Sequence, residues 1–149
     1  MAKGSTHAKA TLALAAVGGW VSYRLGHPLP FTLALTGGVL AGLAITPDLD
    51  LERGCISNAV IRRLVGRTVE RLWGLFWRPY GLLLRHRSRL SHLPVVGTTV
   101  RLVYLCALPA LICWLAGNAL GWTLIPSWIW WSIAGLILAD SPHFLMDSL

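Results

Sequence analysis

Long uncharged stretches separated by short polar clusters dominate the hydrophobic pattern of the chain. No residue between Arg24 and Asp48 carries a formal charge, and the same is true of the interval from Arg101 to Asp140. A helix needs about 20 apolar residues to cross the hydrocarbon core of a bilayer. The first interval therefore fits one crossing, while the second is long enough to be shared by two helices, with a break at Gly117.

This pattern predicts an all-α, polytopic membrane protein with four transmembrane helices in a single domain, residues 1–149. The predicted spans lie at about 8–25, 29–46, 93–116 and 124–146. The first span also resembles a signal peptide or a re-entrant segment. Because no A-x-A-like cleavage site follows it, we interpret it as a span.

Composition and charge give this topology an orientation. Of the 149 residues, 55% are hydrophobic and 13% are charged, which is not typical of a soluble domain. The net charge is +7, and nine of the 11 arginines lie between Arg53 and Arg89. Because Lys and Arg are retained on the cytoplasmic side, segment 51–92 and both termini are predicted to face the cytoplasm. The predicted location is the bacterial inner membrane.

Part of this segment is predicted to form a basic amphipathic helix at the membrane interface. Apolar residues recur at helical spacing over 57–77, while Arg63, Arg67 and Arg71 share another face. Pro79 is expected to end this helix. The predicted partners are membrane lipids with anionic headgroups. Nucleic acid is not an expected partner, since it would require the arginines to turn away from the bilayer.

Most of the other ionisable residues form four short clusters, each at the predicted cytoplasmic end of a different helix. The clusters contain four of the five histidines and four of the six acids. Since these helix ends lie at one membrane depth, ligands distant in sequence would converge there. The candidate metal ligands are His7, Asp48, Asp50, His86, His92, Asp140, His143 and Asp147.

The spacing within the clusters supports a metal site to different degrees. Asp140, His143 and Asp147 lie at i, i+3 and i+7 and therefore share one helix face. Asp48 and Asp50 suit a loop in which both carboxylates turn toward one cation, although solvated aspartates or ion pairs with arginines are alternatives. The two histidines at positions 86 and 92 could bind one ion only if a non-helical segment separates them.

A site of imidazoles and carboxylates without cysteine suits zinc first, with manganese or iron as alternatives. The number of candidate ligands favours one or two divalent ions. Arginines next to the histidines could hold a phosphate, as metal-assisted phosphoester hydrolysis requires, or they could serve only as topological charges. The predicted catalytic residues are Asp48, His92 and Arg87.

Several motifs resemble those of a bacterial family of metal-binding membrane proteins of unknown function, over nearly the whole chain. They are Gly-x-Thr-His at 4–7, Pro-Asp-Leu-Asp at 47–50, Trp-Arg-Pro-Tyr at 77–80, Arg-His-Arg-Ser-x-Leu-Ser-His at 85–92 and Asp-x-x-His-x-x-x-Asp at 140–147. That family is similar to inner-membrane metal-dependent hydrolases once described as LexA-binding, and more distantly to zinc-dependent phospholipase C. The resemblance implies the same ligand candidates, of which Asp140 matches least well.

Two functional hypotheses follow from the sequence. The first is a metal-dependent hydrolase that acts on a phosphoester, such as a lipid, at the cytoplasmic face. The second is a non-catalytic membrane subunit or adaptor that metal stabilises. An open coordination position at the metal would favour the first hypothesis, and a metal fully ligated by protein would favour the second.

Overall fold

The computed structural model describes residues 4–50, 55–84, 88–117 and 126–148, and all regular elements in these ranges are helical. The all-α prediction is therefore confirmed. The elements are α1 (Gly4–Arg24), α2 (Leu29–Ala41), a 3₁₀ helix (Pro47–Asp50), α3 (Ile56–Val65), α4 (Arg67–Leu83), α5 (Arg89–His92), α6 (Pro94–Leu115) and α7 (Ser127–Ser148).

The prediction of four transmembrane helices is wrong. Within the described ranges, only α6 is both long and apolar enough to cross a membrane. Helix α2 has 13 residues, or about 20 Å at 1.5 Å per residue, against a bilayer core of about 30 Å. Helices α1 and α7 are longer, but each carries ionisable side chains at the end that meets the other, such as His7 and His143, and this shortens its apolar run.

The basic segment also differs from its prediction, because it forms two helices instead of one. Gly66 lies between α3 and α4 with a φ of +93°, a conformation that L side chains rarely adopt and that ends α3. Helix α4 then continues through Pro79 to Leu83. Proline removes one helical hydrogen bond, but the buried Trp77 and Tyr80 on either side keep the helix packed.

Helices α2 and α7 approach each other backbone to backbone through glycines. A Cβ on Gly38 would lie 2.0 Å from the carbonyl oxygen of Ser132, and one on Gly135 would lie 2.1 Å from the carbonyl oxygen of Leu35. Any side chain at either position would push the helices apart. These contacts therefore fix α7, which carries several candidate ligands, against α2.

A hydrophobic core rich in aromatic residues, called the aromatic core below, packs against the 3₁₀ helix that carries Asp48. Its buried residues are Leu49, Cys55, Trp77 and Tyr80. Helix α6 joins this core through Tyr104, whose hydroxyl donates a hydrogen bond of 2.6 Å to the carbonyl oxygen of Phe76. Farther along, α4 and α6 leave an apolar groove of about 570 Å³ between them.

We expect Gly38→Ala and Gly135→Ala to destabilise the protein, because each new methyl group would overlap a backbone atom of the facing helix. The expected loss is at least about 1–3 kcal/mol, the usual cost of overpacking. Thermal unfolding of the purified variants measures it. Gly37→Ala is the matched control, since nothing lies within 4 Å of that Cβ and alanine is the better helix former. Equal stabilities for the variants at positions 37 and 38 would contradict this packing.

Candidate metal centre

Four of the predicted ligands meet in one group. Asp48, His92, His143 and Asp147 each offer a ligand atom, and these atoms lie within 4.8 Å of one another. Asp48 comes from the 3₁₀ helix, His92 from α5, and the other two from α7. The prediction that sequence-distant imidazoles and carboxylates converge is thus met by these four residues.

Three of the separations between the ligand atoms are close to those in the coordination shell of a single ion. Asp48 Oδ1 lies 3.4 Å from His143 Nε2 and 3.7 Å from His92 Nε2. Asp147 Oδ2 lies 3.3 Å from His143 Nε2. Ligands placed tetrahedrally about 2.0–2.1 Å from zinc are separated by about 3.3–3.4 Å, the edge of that tetrahedron. Two of the three distances equal this edge and the third exceeds it by about 0.3 Å, so these side chains are close enough to share one ion.

Regular helix geometry places the two candidate ligands of α7 on the same face of the helix. His143 and Asp147 are four residues apart and occupy the same face, as the sequence predicts. Pro142 lies inside α7 without ending it, since the helix runs on to Ser148. The carboxylate and the imidazole therefore reach the site from consecutive turns.

His92 is oriented by a neighbouring hydroxyl. Its Nδ1 lies 2.8 Å from the Oγ of Ser91, and Ser91 is completely buried. This contact occupies one ring nitrogen and leaves Nε2 on the side of Asp48. A partner on the outer nitrogen of an imidazole is the usual arrangement at protein metal sites.

A buried nitrogen supports the assignment of this group to a cation. His143 is only 5% exposed, and its Nε2 makes no hydrogen bond to any residue that the structure describes. It faces the carboxylates of Asp48 and Asp147. Buried polar atoms normally have a partner, and an ion between these three side chains would provide one.

The charge state of Asp48 also suits a ligand. Burial alone raises the pKa of this carboxyl, but the adjacent imidazoles of His143 and His92 favour its ionised form, outweigh that effect and hold the pKa below its usual range. Asp48 is therefore ionised at neutral pH, and a metal ion would not have to displace a proton from it.

His7 lies beside this group. Its Nε2 is 3.4 Å from Asp147 Oδ1, and its ring stacks on that of His143 with 3.9 Å between centroids. Burial lowers the pKa of His7, and the nearby His143 lowers it further, while Asp147 raises it. His7 thus contacts the oxygen of Asp147 that does not face His143, and it is positioned to orient that carboxylate.

Asp140 is not in the group, although it shares a helix face with His143. Its Oδ2 accepts hydrogen bonds from Thr98 and from Arg101 of α6. Burial raises the pKa of this carboxyl, and Arg101 and Thr98 oppose that rise. The sequence analysis missed Arg101 as a functional residue. The sequence contained one signal, since Arg101 is the only Lys or Arg between Arg89 and the C-terminal aspartates.

The remaining predicted residues lie outside the described part of the molecule. They are His86, Arg87 and the side chain of Asp50. Their proposed roles, including a second ion and a phosphate contact, stay predictions.

One comparison with known proteins is informative. The model of a family described as uncharacterized metal-binding protein (DUF2227) matches residues 2–149, and the chain belongs to this family. No curated protein and no solved structure matches it. The family is thus described as metal-binding, and the structure offers a candidate site, whereas the resemblance to hydrolases and to LexA-binding proteins gains no support.

We expect the purified protein to bind one zinc ion per chain. Asp48→Asn and His143→Ala should weaken binding by more than the roughly 10–100-fold that loss of an outer partner costs at metal sites. Isothermal titration calorimetry measures both stoichiometry and affinity. His27→Ala is the control, because His27 packs on Trp131 near the opposite end of α7. Equal affinity in all three variants would exclude this site.

The zinc affinity should decrease as the pH is lowered, because protons compete with the ion for its ligands. Asp48 should not contribute to that decrease. A carboxyl whose folded pKa is lowered stabilises the protein above its unfolded pKa, about 3.9, and loses this contribution only as the pH falls through the folded value.

Titrations at several pH values test the first part, and thermal unfolding of the metal-free wild type and of Asp48→Asn tests the second. A stability difference between the two proteins that vanishes already near pH 6 would contradict the lowered pKa of Asp48.

Proposed function

We propose that this member of the metal-binding family holds one zinc-class ion with Asp48, His92, His143 and Asp147, and that the ion ties together the segments that carry them. The observation that supports this most strongly is that ligand atoms from three elements lie within 4.8 Å of one another, with three of their separations between 3.3 and 3.7 Å. Manganese and iron accept the same ligand types, but a four-residue site fits zinc best.

A stabilising role is favoured by the number of protein ligands. Structural zinc is usually bound by four protein side chains, whereas catalytic zinc keeps one position for water. The four ligands here come from the 3₁₀ helix, α5 and α7, and His7 adds a contact from α1. Binding would therefore contribute directly to the free energy of folding, since these segments have no reason to converge in the unfolded chain.

Phosphoester hydrolysis is the second candidate, and one feature of the site supports it. The ligands are imidazoles and carboxylates, the set found at catalytic zinc, instead of the cysteines common at structural zinc. The side chains of Asp48 and Asp147 are 19% and 16% exposed. If water displaced one of these carboxylates, the ion could activate that water molecule as a nucleophile.

The two roles separate in one experiment on the purified protein. With zinc at about 100 times its dissociation constant, binding adds about 2.7 kcal/mol of stability, or a rise in Tm of about 5–10 °C for a chain of this length. The zinc-loaded wild type and Asp48→Asn are then compared for hydrolysis of a phosphodiester.

A large rise in Tm without hydrolysis above that of Asp48→Asn supports the stabilising role. Hydrolysis that depends on zinc and on Asp48 would instead favour the enzyme. Absence of both effects would contradict the proposal. Contact with membrane lipids and location at the inner membrane stay predictions.

A further inference from the structure

A buried arginine connects two of the elements that carry metal ligands. Arg101 of α6 is completely buried. Its Nη1 donates a hydrogen bond of 2.8 Å to the carbonyl oxygen of Ser91, and its Nη2 donates to Oδ2 of Asp140. Ser91 directly precedes His92, and Asp140 lies one helical turn before His143.

We propose that Arg101 is a positioning residue of the metal centre, which sets the distance between His92 and His143 by holding the backbone of α5 and the side chain of Asp140 with one guanidinium. This inference rests on the proposed metal binding. The polar contacts of Arg101 are with Ser91, Thr98 and Asp140, so that it acts through the residues next to two of the ligands.

The shape of the guanidinium explains why arginine occupies this position. Its nitrogens form a rigid planar fork, so that two acceptors in fixed directions can be held at once, whereas a lysine ammonium is a point charge on a flexible stem. Here the two arms reach different elements. The hydroxyl of Thr98 also donates to Asp140, and it thereby ties α7 to α6 a second time.

Gly97 of α6 allows α5 to approach α6 closely. A Cβ on Gly97 would lie 2.3 Å from the carbonyl oxygen of Ser91 and 3.3 Å from Nη1 of Arg101. Any larger residue would displace the carbonyl that Arg101 holds. Gly97 therefore offers a way to disturb the position of His92 without removing a charge.

Stability alone is a weak explanation for the pair of Arg101 and Asp140. Both side chains are almost fully buried, and a buried ion pair often stabilises a protein no more than apolar side chains of similar volume. Apolar side chains at these positions could not donate a hydrogen bond to the carbonyl oxygen of Ser91. That hydrogen bond fixes the backbone next to His92.

The test compares zinc affinity, the visible spectrum of the Co²⁺-substituted protein and Tm for Arg101→Met, Arg101→Lys and Gly97→Ala. We expect zinc affinity to fall about 10–100-fold in Arg101→Met and Gly97→Ala, with a smaller loss in Arg101→Lys. The Co²⁺ spectrum should change as the tetrahedral geometry is lost. Ser22→Ala is the control, because it removes the buried hydrogen bond of 2.9 Å between Ser22 of α1 and Thr32 of α2, neither of which carries one of the four ligands. It should lower Tm but keep the affinity and spectrum of the wild type.

Loss of Tm with wild-type affinity and spectrum in all three variants would overturn the inference and leave the proposed function intact. Failure of the wild type to bind zinc would instead contradict the proposed function. In that case, NMR of the imidazole rings in the metal-free protein tests the role of Arg101. Arg101→Lys should shift the ring signals of His92 and leave those of His27 unchanged. Unchanged His92 signals would overturn the inference.

Discussion

Asp48 and Asp147 bring two carboxylates to within 4.8 Å of each other in a partly buried position. Like charges this close repel, and the repulsion increases as water is excluded. Two buried imidazoles from His92 and His143 lie between and beside them. A divalent cation would neutralise the carboxylates and give Nε2 of His143 a partner, so that a single ion would relieve the repulsion between Asp48 and Asp147.

The rest of the fold can be understood as support for this convergence. The glycines of α2 and α7 let the backbones touch and fix the helix that supplies two ligands. The aromatic core anchors the 3₁₀ helix of Asp48 through Leu49. Arg101 joins α5 to α7 from α6. Each ligand is thereby held by a contact that does not itself involve the site, which is how proteins preorganise metal ligands.

Local spacing predicted part of the site. The pattern of His143 and Asp147 on α7 depends only on helix periodicity, and the structure keeps it. Asp140 has the same periodicity, yet it pairs with Arg101, because a buried guanidinium from another helix lies closer to it than the ligand group does. No local pattern contains that contact. The break at Gly66 was also missed, since a glycine inside a helical pattern does not by itself reveal a positive φ.

The membrane topology failed for a related reason. The length of an uncharged, apolar interval does not show where a helix ends within it. Helix α2 ends at Ala41, well before the uncharged interval ends at Asp48. The polar ends of α1 and α7 meet at the candidate ligand group, where His7 and His143 both contact Asp147. The convergence of ligands that the topology was used to explain is thus a property of the helix packing.

X-ray absorption spectroscopy at the zinc edge tests the central claim most directly. The account predicts one zinc per chain with four nitrogen or oxygen ligands at about 2.0–2.1 Å and an imidazole signature. Sulfur ligands, a shell of six oxygens without imidazole, or a zinc content that does not change in Asp48→Asn would contradict it.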